Sequence, residues 1–306
     1  MANSNKTSQK QTRQKSAILA TFIALFQAVI YVSSFENLEI NVMIFDILAL
    51  IAGSTIVMLM AIINDKKGIG STSIFILITV VVGQISNCIN IIIAVGENKL
   101  FFAIVMLIFV YVAVILIYVI IDRAEYRIPY LQLNIKSIYS SKSYFPIKIN
   151  CTNVSPIMFT SAMFSILIAF MILVIGIFVT DPDVLNDAKL FLNNDYFNLI
   201  LYSIMLLFFC IFMAFTMINP SKISDEMEKN NECLAYLNPG VTTKAYLTNY
   251  VLLFSIIDGL ILILAICGPI FVCIQAGYGF RFGFQISSIF FMAGMIIKFI
   301  EEFAFE

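Results

Sequence analysis

The sequence predicts an all-α multi-pass membrane protein, a helix bundle of about eight transmembrane helices interrupted by a cytoplasmic β-hairpin loop. Three observations lead there. Hydrophobic residues make up 61% of the 306 and charged residues 12%, where a soluble domain carries about 25% charged residues; mean hydropathy is +0.97. Eight apolar segments, approximately 16–32, 43–63, 72–95, 100–121, 156–180, 197–218, 246–275 and 284–300, are each near or above the ~20 residues that cross about 30 Å of hydrocarbon. Between the fourth and fifth of these, residues 122–158 form the longest stretch that lipid could not accept.

In chain order, residues 1–16 are a basic tail with Lys6, Lys10, Arg13 and Lys15 and no acid. A signal peptide begins in the same way, but the run Ser16 to Val32 is long for its apolar region and has no clear A-x-A site, so it reads as the first retained span. The spans are expected to be helices because backbone groups in lipid must be bonded within the segment, and the runs lack the polar alternation of a closed barrel. The predicted organisation is a tail at 1–16, four spans in 17–121, the hairpin loop at 122–155, two spans in 156–218, a second polar loop at 219–245, and two spans with a short tail in 246–306.

Charge sets the orientation. With the N-terminal tail inside, fifteen of the 18 lysines and arginines face the cytoplasm and only Lys99, Lys189 and Arg281 lie outside. Both termini are then cytoplasmic in a plasma-membrane protein, and the loop Thr180 to Tyr196, with Asp181, Asp183, Asp187 and Asp195, faces outward.

The two long inner loops have different chemistry. In the first, Tyr130 to Ile135 and Tyr144 to Ile149 alternate at period two around a turn at Ser140 to Ser143. A strand pair of this size is marginal alone and is expected to lean on a partner. This loop also carries Arg123, Arg127, Lys136, Lys142 and Lys148, more than a topology signal needs, which favours partner binding. In the second, Asn219-Pro220-Ser221 starts a helical turn and Asn238-Pro239-Gly240 ends the excursion. The mixture of four acids and two lysines between them suits a protein partner rather than anionic lipid.

Several chemistries are excluded or unsupported. There is no histidine, which removes the commonest general base and metal ligand. The six cysteines form no CxxC and read as small buried hydrophobes. HExxH, GxSxG and paired intramembrane carboxylates are absent, so no catalytic residue, metal or cofactor is expected, nor a nucleic-acid partner. Two acids fall within apolar segments. Asp46 is close enough to one end of its span to reach the interface, whereas Asp258 is near mid-span and must be protonated or paired. An alternative reading, a small-molecule secondary transporter, would use Asp258 and the interruption at Gly268-Pro269.

Ala124 to Pro129 (AEYRIP), then Phe145 to Asn150 (FPIKIN), then Pro156 opening the next helix, resembles the SecY family of protein-conducting channels, in which this stretch is the large cytoplasmic loop between the sixth and seventh membrane helices. Three further places are similar: Ala52 to Thr55 with Asp65 to Ser71, like the family's AGT…GIGNG turn; Phe209 to Pro220, like the end of its eighth helix; and Asn238-Pro239-Gly240 with Thr243 and Tyr246, like IRPG…T…Y at the start of the ninth. The resemblance assigns the eight segments to the family's third to tenth helices. The first two helices and the plug have no counterpart, so the chain is a fragment, or another polypeptide supplies the rest, or it does not conduct. The IRPG arginine is replaced, since Leu237 and Asn238 precede Pro239, and GIGNG reads GIGST. Such divergence resembles the accessory SecY proteins of Gram-positive bacteria, which export glycosylated serine-rich adhesins.

That resemblance implies a protein-conducting channel subunit with a SecA-type ATPase, a SecE-like small membrane subunit, a secreted preprotein and the lipid bilayer as partners. It implies a pore constriction at Ser73, Leu77, Met158 and Ser288, where ordinary helix packing is the competing explanation. It also implies motor-binding loops through Arg123, Arg127, Lys136, Lys142, Lys148, Asn238, Pro239 and Gly240.

Overall fold

The computed structural model describes residues 21–29, 31–32, 39–67, 77–85, 89, 100–132, 144–150, 152–178, 182–229, 232–234, 241–277 and 279–305. The chain divides into two compact units, Met1–Thr79 with Glu301–Glu306, and Val80–Ile300. In the first, α1 (Ile40–Lys67) is apolar over most of its length, with Asp46 the one acid between Ile40 and Ile63. Its Ser54 and Thr55 hydroxyls donate to the carbonyls of Ile51 and Ala52, both at 2.9 Å, so these polar groups are satisfied within the helix, as hydrocarbon requires.

The second unit holds α2 (Leu100–Arg123), β1 (Glu125–Gln132), β2 (Tyr144–Lys148), α3 (Ser155–Phe178), α4 (Pro182–Leu192), α5 (Asp195–Met217), α6 (Pro220–Lys229), β3 (Glu232–Leu234), α7 (Val241–Gln275) and most of α8 (Gly279–Phe305). Among the described residues, four stretches are long and apolar enough to cross a membrane: Ile40–Asn64, Ser155–Gly176, Asp195–Lys229 and Thr242–Gln275. The outward loop expected at 180–196 contains a helix, α4, opening at Pro182 where the fixed φ of proline suits a first helical turn.

Local chemistry sets the helix ends. Asn194 caps α5, its side chain accepting from the backbone N–H of Tyr196 at 3.0 Å and of Phe197 at 3.4 Å. The expected start at Asn219-Pro220-Ser221 is present as α6, with Pro220 in its first position and Asn219 Oδ1 accepting from Lys222 N at 3.3 Å. The 35 residues of α7 extend about 52 Å at 1.5 Å per residue, well beyond a hydrocarbon core of about 30 Å. Its first turns therefore have length to spare for packing outside the hydrocarbon.

Those turns carry the sheet. The strand order is β2-β1-β3 and all pairs are antiparallel. Glu125 to Pro129 pair with Lys148 to Tyr144, and Tyr130 to Gln132 pair with Leu234 to Glu232. The hairpin is present, but its first strand begins at Glu125, five residues before the expected Tyr130; the expected turn at 140–143 lies outside the described residues. The pairing explains how Pro129 is tolerated in the central strand. The two partners occupy different halves of β1, and Pro129, which has no N–H to donate, stands where pairing passes from β2 to β3. The partner that the hairpin was expected to need is thus the other polar loop, through β3.

Ile128 roots the sheet. It is buried with Ala214 of α5, Met227 of α6, Leu234 of β3, and Leu247, Val251 and Phe254 of α7. Tyr126 lies over Tyr250 and Phe254, at ring distances of 5.8 and 5.5 Å. Burying one such aliphatic side chain is worth roughly 1.5–3 kcal/mol where water is the alternative.

Between membrane helices that driving force is absent, and close packing replaces it. Gly294 of α8 leaves no room for a side chain: a Cβ there would meet Val154 and come within 2.8 Å of the Tyr118 ring. Gly283 is equally tight against α7, where a Cβ would lie 2.5 Å from Ile270 Cα. Gly294→Ala is therefore expected to lower stability by about 1–3 kcal/mol through overpacking. Gly53→Ala on α1, which meets nothing within 4 Å, should leave thermal unfolding of the purified protein unchanged.

Candidate functional site

On the sheet, Arg127 is the best-defined exposed cation. Its guanidinium is paired to Glu125 Oε1 at 2.6 Å and lies 4.7 Å above the centre of the Tyr144 ring. The hydrogen bond it donates to Glu125, together with the Tyr144 and Glu125 charges, pushes its pKa above the ordinary arginine value, so it is a permanent positive charge held in one orientation. Arg123 is exposed at the C-terminal end of α2, where a cation complements the helix dipole. Lys148 is exposed, with Nζ 3.8 Å from the buried Asp122 carboxylate. Lys136, Lys142, Asn238, Pro239 and Gly240 lie outside the described residues, as does Ser73.

Beneath the sheet is a buried polar seam. Asn150 donates from Nδ2 to Tyr118 Oη at 3.5 Å and to Asp122 Oδ1 at 3.4 Å, tying the end of β2 to the last turns of α2. Two residues further on, the Thr152 hydroxyl donates to Asp258 Oδ2 at 2.8 Å. Both groups are fully buried, and Asp258 Oδ1 has no hydrogen-bond partner among the described residues. The mid-helix acid singled out in the sequence is therefore engaged. It anchors the turn Thr152–Val154, in which Asn153 adopts a positive φ of 52°, directly before α3. Asn tolerates that conformation better than most residues.

Farther along α3 the expected constriction residues can be located. Two contacts show that α3 and α8 run antiparallel: Val154 against Gly294, and Phe164 against Phe280 with ring centroids 5.7 Å apart. Met158 lies between these contacts on α3, and Ser288 between them on α8. Both are half-buried. Ser288 accepts a hydrogen bond from the side-chain amide of Gln84, on the helical stretch 77–85. Leu77 is half-buried at the start of that stretch and belongs to the other unit.

The sequence reading missed Gln84, Thr152 and the strand β3, and it quoted Asn150 only as the end of a motif, without its hydrogen bonds. Gln84 had a signal, as an amide inside an apolar run, and so did Asn150 and Thr152, as polar residues just before Pro156. The three residues of β3 had none.

Cys210, Cys267 and Cys273 are free and buried, in keeping with the small-hydrophobe reading. If Asp258 acts as an anchor, Asp258→Asn should retain folding, since the amide oxygen still accepts from Thr152. Asp258→Leu should cost about 1–3 kcal/mol by stranding the Thr152 hydroxyl, readable as a lower melting temperature in detergent.

The comparisons with known proteins accord with this geometry. The family model named SecY matches residues 1–300. An accessory Sec system protein translocase subunit SecY2 from Streptococcus agalactiae serotype Ia is 25% identical over 265 residues, covering 84% of this chain and 63% of that protein. The protein of the same name from Streptococcus gordonii is 28% identical over 275 residues, covering 85% and 65%. The chain thus spans a little under two thirds of the length of these curated relatives. Among solved structures, a SecY protein studied for how its plug domain stabilises the closed channel superposes with a TM-score of 0.67 at 15% identity, covering 97% of this chain and 74% of that one. A protein-conducting channel superposes at 0.61, also at 15% identity, covering 95% and 72%. These likenesses establish the fold, and with the family match over nearly its whole length the chain belongs to the SecY family.

Proposed function

We propose that this chain is the channel subunit of an accessory-type Sec translocase, giving an exported preprotein a path across the plasma membrane while a SecA-type ATPase supplies the energy. The observation that carries this reading is the β1–β3 pairing, which makes two separate polar loops into one surface. A motor that pushes a chain through a membrane needs a rigid footing, and a sheet rooted by Ile128 against three helices offers one. Arg123, Arg127 and Lys148 are exposed cations at that surface, Arg127 paired with Glu125 and Lys148 near Asp122, and Lys136, Lys142, Asn238, Pro239 and Gly240 extend the same two loops. The excess of lysine and arginine on one side supports a cytoplasmic sheet and cytoplasmic termini.

In this reading the chemistry is passive. The resemblance assigns Met158, Ser288, Leu77 and Ser73 to the constriction. A SecE-like small membrane subunit braces the bundle, and the cargo is of the serine-rich adhesin kind handled by accessory systems. A transporter built on Asp258 is the second reading, favoured by the unpartnered, buried Oδ1. The Thr152 bond argues for an anchor instead, since a carboxylate held at 2.8 Å by the turn before α3 is poorly placed to load and release a solute.

Photo-crosslinkers introduced within 124–148 and 221–242 should capture a SecA-type ATPase in native membranes. Arg127→Glu with Lys148→Glu should weaken that capture and slow export without altering protein level. If neither loop captures an ATPase, or if a reporter fused near residue 135 or 230 emerges outside the cell, the assignment fails. Loss of small-solute uptake in Asp258→Asn with export intact would favour the second reading.

A further inference from the structure

The helix α4 joins α3 to α5 at the end of α5 away from the sheet, and it packs on both. Its side chains divide by burial. Leu192 is buried and Ala188 half-buried, whereas Val184, Leu190 and Phe191 are 53%, 69% and 58% exposed. We propose that α4 is an interfacial helix, with its side at Val184 and Phe191 seated in the headgroup–acyl boundary of the bilayer. The proposal needs only that the chain spans a membrane, and not the channel reading above.

Two observations name lipid as the occupant. The first is continuity. Val184, Ala188 and Phe191 recur on one side of the helix at helical spacing, and Phe191 packs on Phe197 of α5 with ring centroids 4.7 Å apart. Beside Phe197, Tyr196 opens an exposed stripe spaced every four residues: Tyr196, Ile200, Ile204, Phe208 and Phe212. That stripe lies on a stretch long and apolar enough to cross a membrane, so lipid is what covers it. The second is depth. Tyr196 accepts a hydrogen bond from Gln275 Nε2 at 3.2 Å, so the apolar stretches of α5 and α7 end side by side. An aromatic ring with a polar tip suits such a boundary, and α4 leads into it through the Asn194 cap.

The chemistry fits a shallow seat. An amphipathic helix lying in the membrane plane gains by burying its apolar side at the boundary, where the same side chains in water would be a cost. Asp187 is exposed beside Phe191. A carboxylate stays hydrated among headgroups but not in hydrocarbon, which keeps the helix near the surface. So placed, α4 fixes the depth of the α3–α5 pair from the membrane face opposite the sheet. The loop that its acids mark as polar is then a membrane-bound element.

The sequence contains no tryptophan, so Phe191→Trp gives the purified full chain a single indole. In vesicles of phosphatidylcholine and phosphatidylglycerol its emission should be blue-shifted from that of free tryptophan and resist quenching by aqueous acrylamide. It should lose more intensity to lipid brominated near the headgroup than to lipid brominated near the chain tip. Val184→Trp should behave alike, and it serves if the Phe191 variant fails to fold. Ile200→Trp, on the α5 stripe, should lose more to the deeper bromine and so shows that the chain is inserted in the same vesicles. Emission like that of free tryptophan with full acrylamide quenching would put α4 in water. Blue-shifted emission that neither bromine quenches would mean that protein, such as a second copy of the chain, covers the face. Stronger quenching by the deeper bromine at both α4 positions would bury the helix in hydrocarbon. Each of these results overturns the interfacial helix and leaves the channel reading standing.

Discussion

Three residue pairs, Tyr130–Leu234, Leu131–Cys233 and Gln132–Glu232, join the loop after α2 to the loop after α5. Without them the molecule has two polar excursions of about thirty residues each, one a hairpin too small to be stable alone. With them it has a three-stranded sheet whose central strand buries Ile128 among α5, α6, β3 and α7. The pairing is long-range and short, so its stability must come from what lies under it. At that base water is the competing environment, and apolar burial drives assembly.

Elsewhere different forces apply. Helices surrounded by hydrocarbon gain nothing from burying apolar surface against each other. They are held by close approach at Gly283 and Gly294 and by hydroxyl bonds such as that between Ser161 and Tyr202 at 3.3 Å. The seam Tyr118–Asp122–Asn150 and the bond from Thr152 to Asp258 lie where the two regimes meet. Through them the end of the sheet, the last turns of α2, the turn before α3 and the middle of α7 are mechanically one body. A displacement of the sheet therefore has a covalent and hydrogen-bonded route to the base of α3.

Much of this was legible in the sequence. Apolar runs announce spans directly because lipid imposes a length and forbids charge, and the sheet's loop announced itself by period-two alternation. The strand boundary was misplaced at Tyr130; β1 includes Pro129, which the change of partner at that residue makes permissible. The strand β3 could not be read, since three residues carry no period and its partner lies about a hundred residues away. The helix α4 could have been found, because Asp181-Pro182-Asp183 is a helix-start pattern inside a loop read only for its charge. Asp258 was recognised as costly but its partner was not, because a hydroxyl donor such as Thr152 has no distinctive spacing from the acid it serves.

Whether the two loops form one sheet can be measured directly, because β3 carries the native Cys233. Leu131 is its antiparallel partner. Facing Cα atoms in such pairs are about 4.5–5.5 Å apart, inside the range of about 4.4–6.8 Å that a disulfide spans. Leu131→Cys, mildly oxidised in isolated membranes, should therefore keep the two halves of a chain cleaved between α3 and α5 joined until reductant is added, and Cys233→Ser should abolish the link. Halves that separate without reductant, while the introduced thiol and Cys233 both remain open to a thiol reagent, would mean that the loops are independent and that the shared footing does not exist.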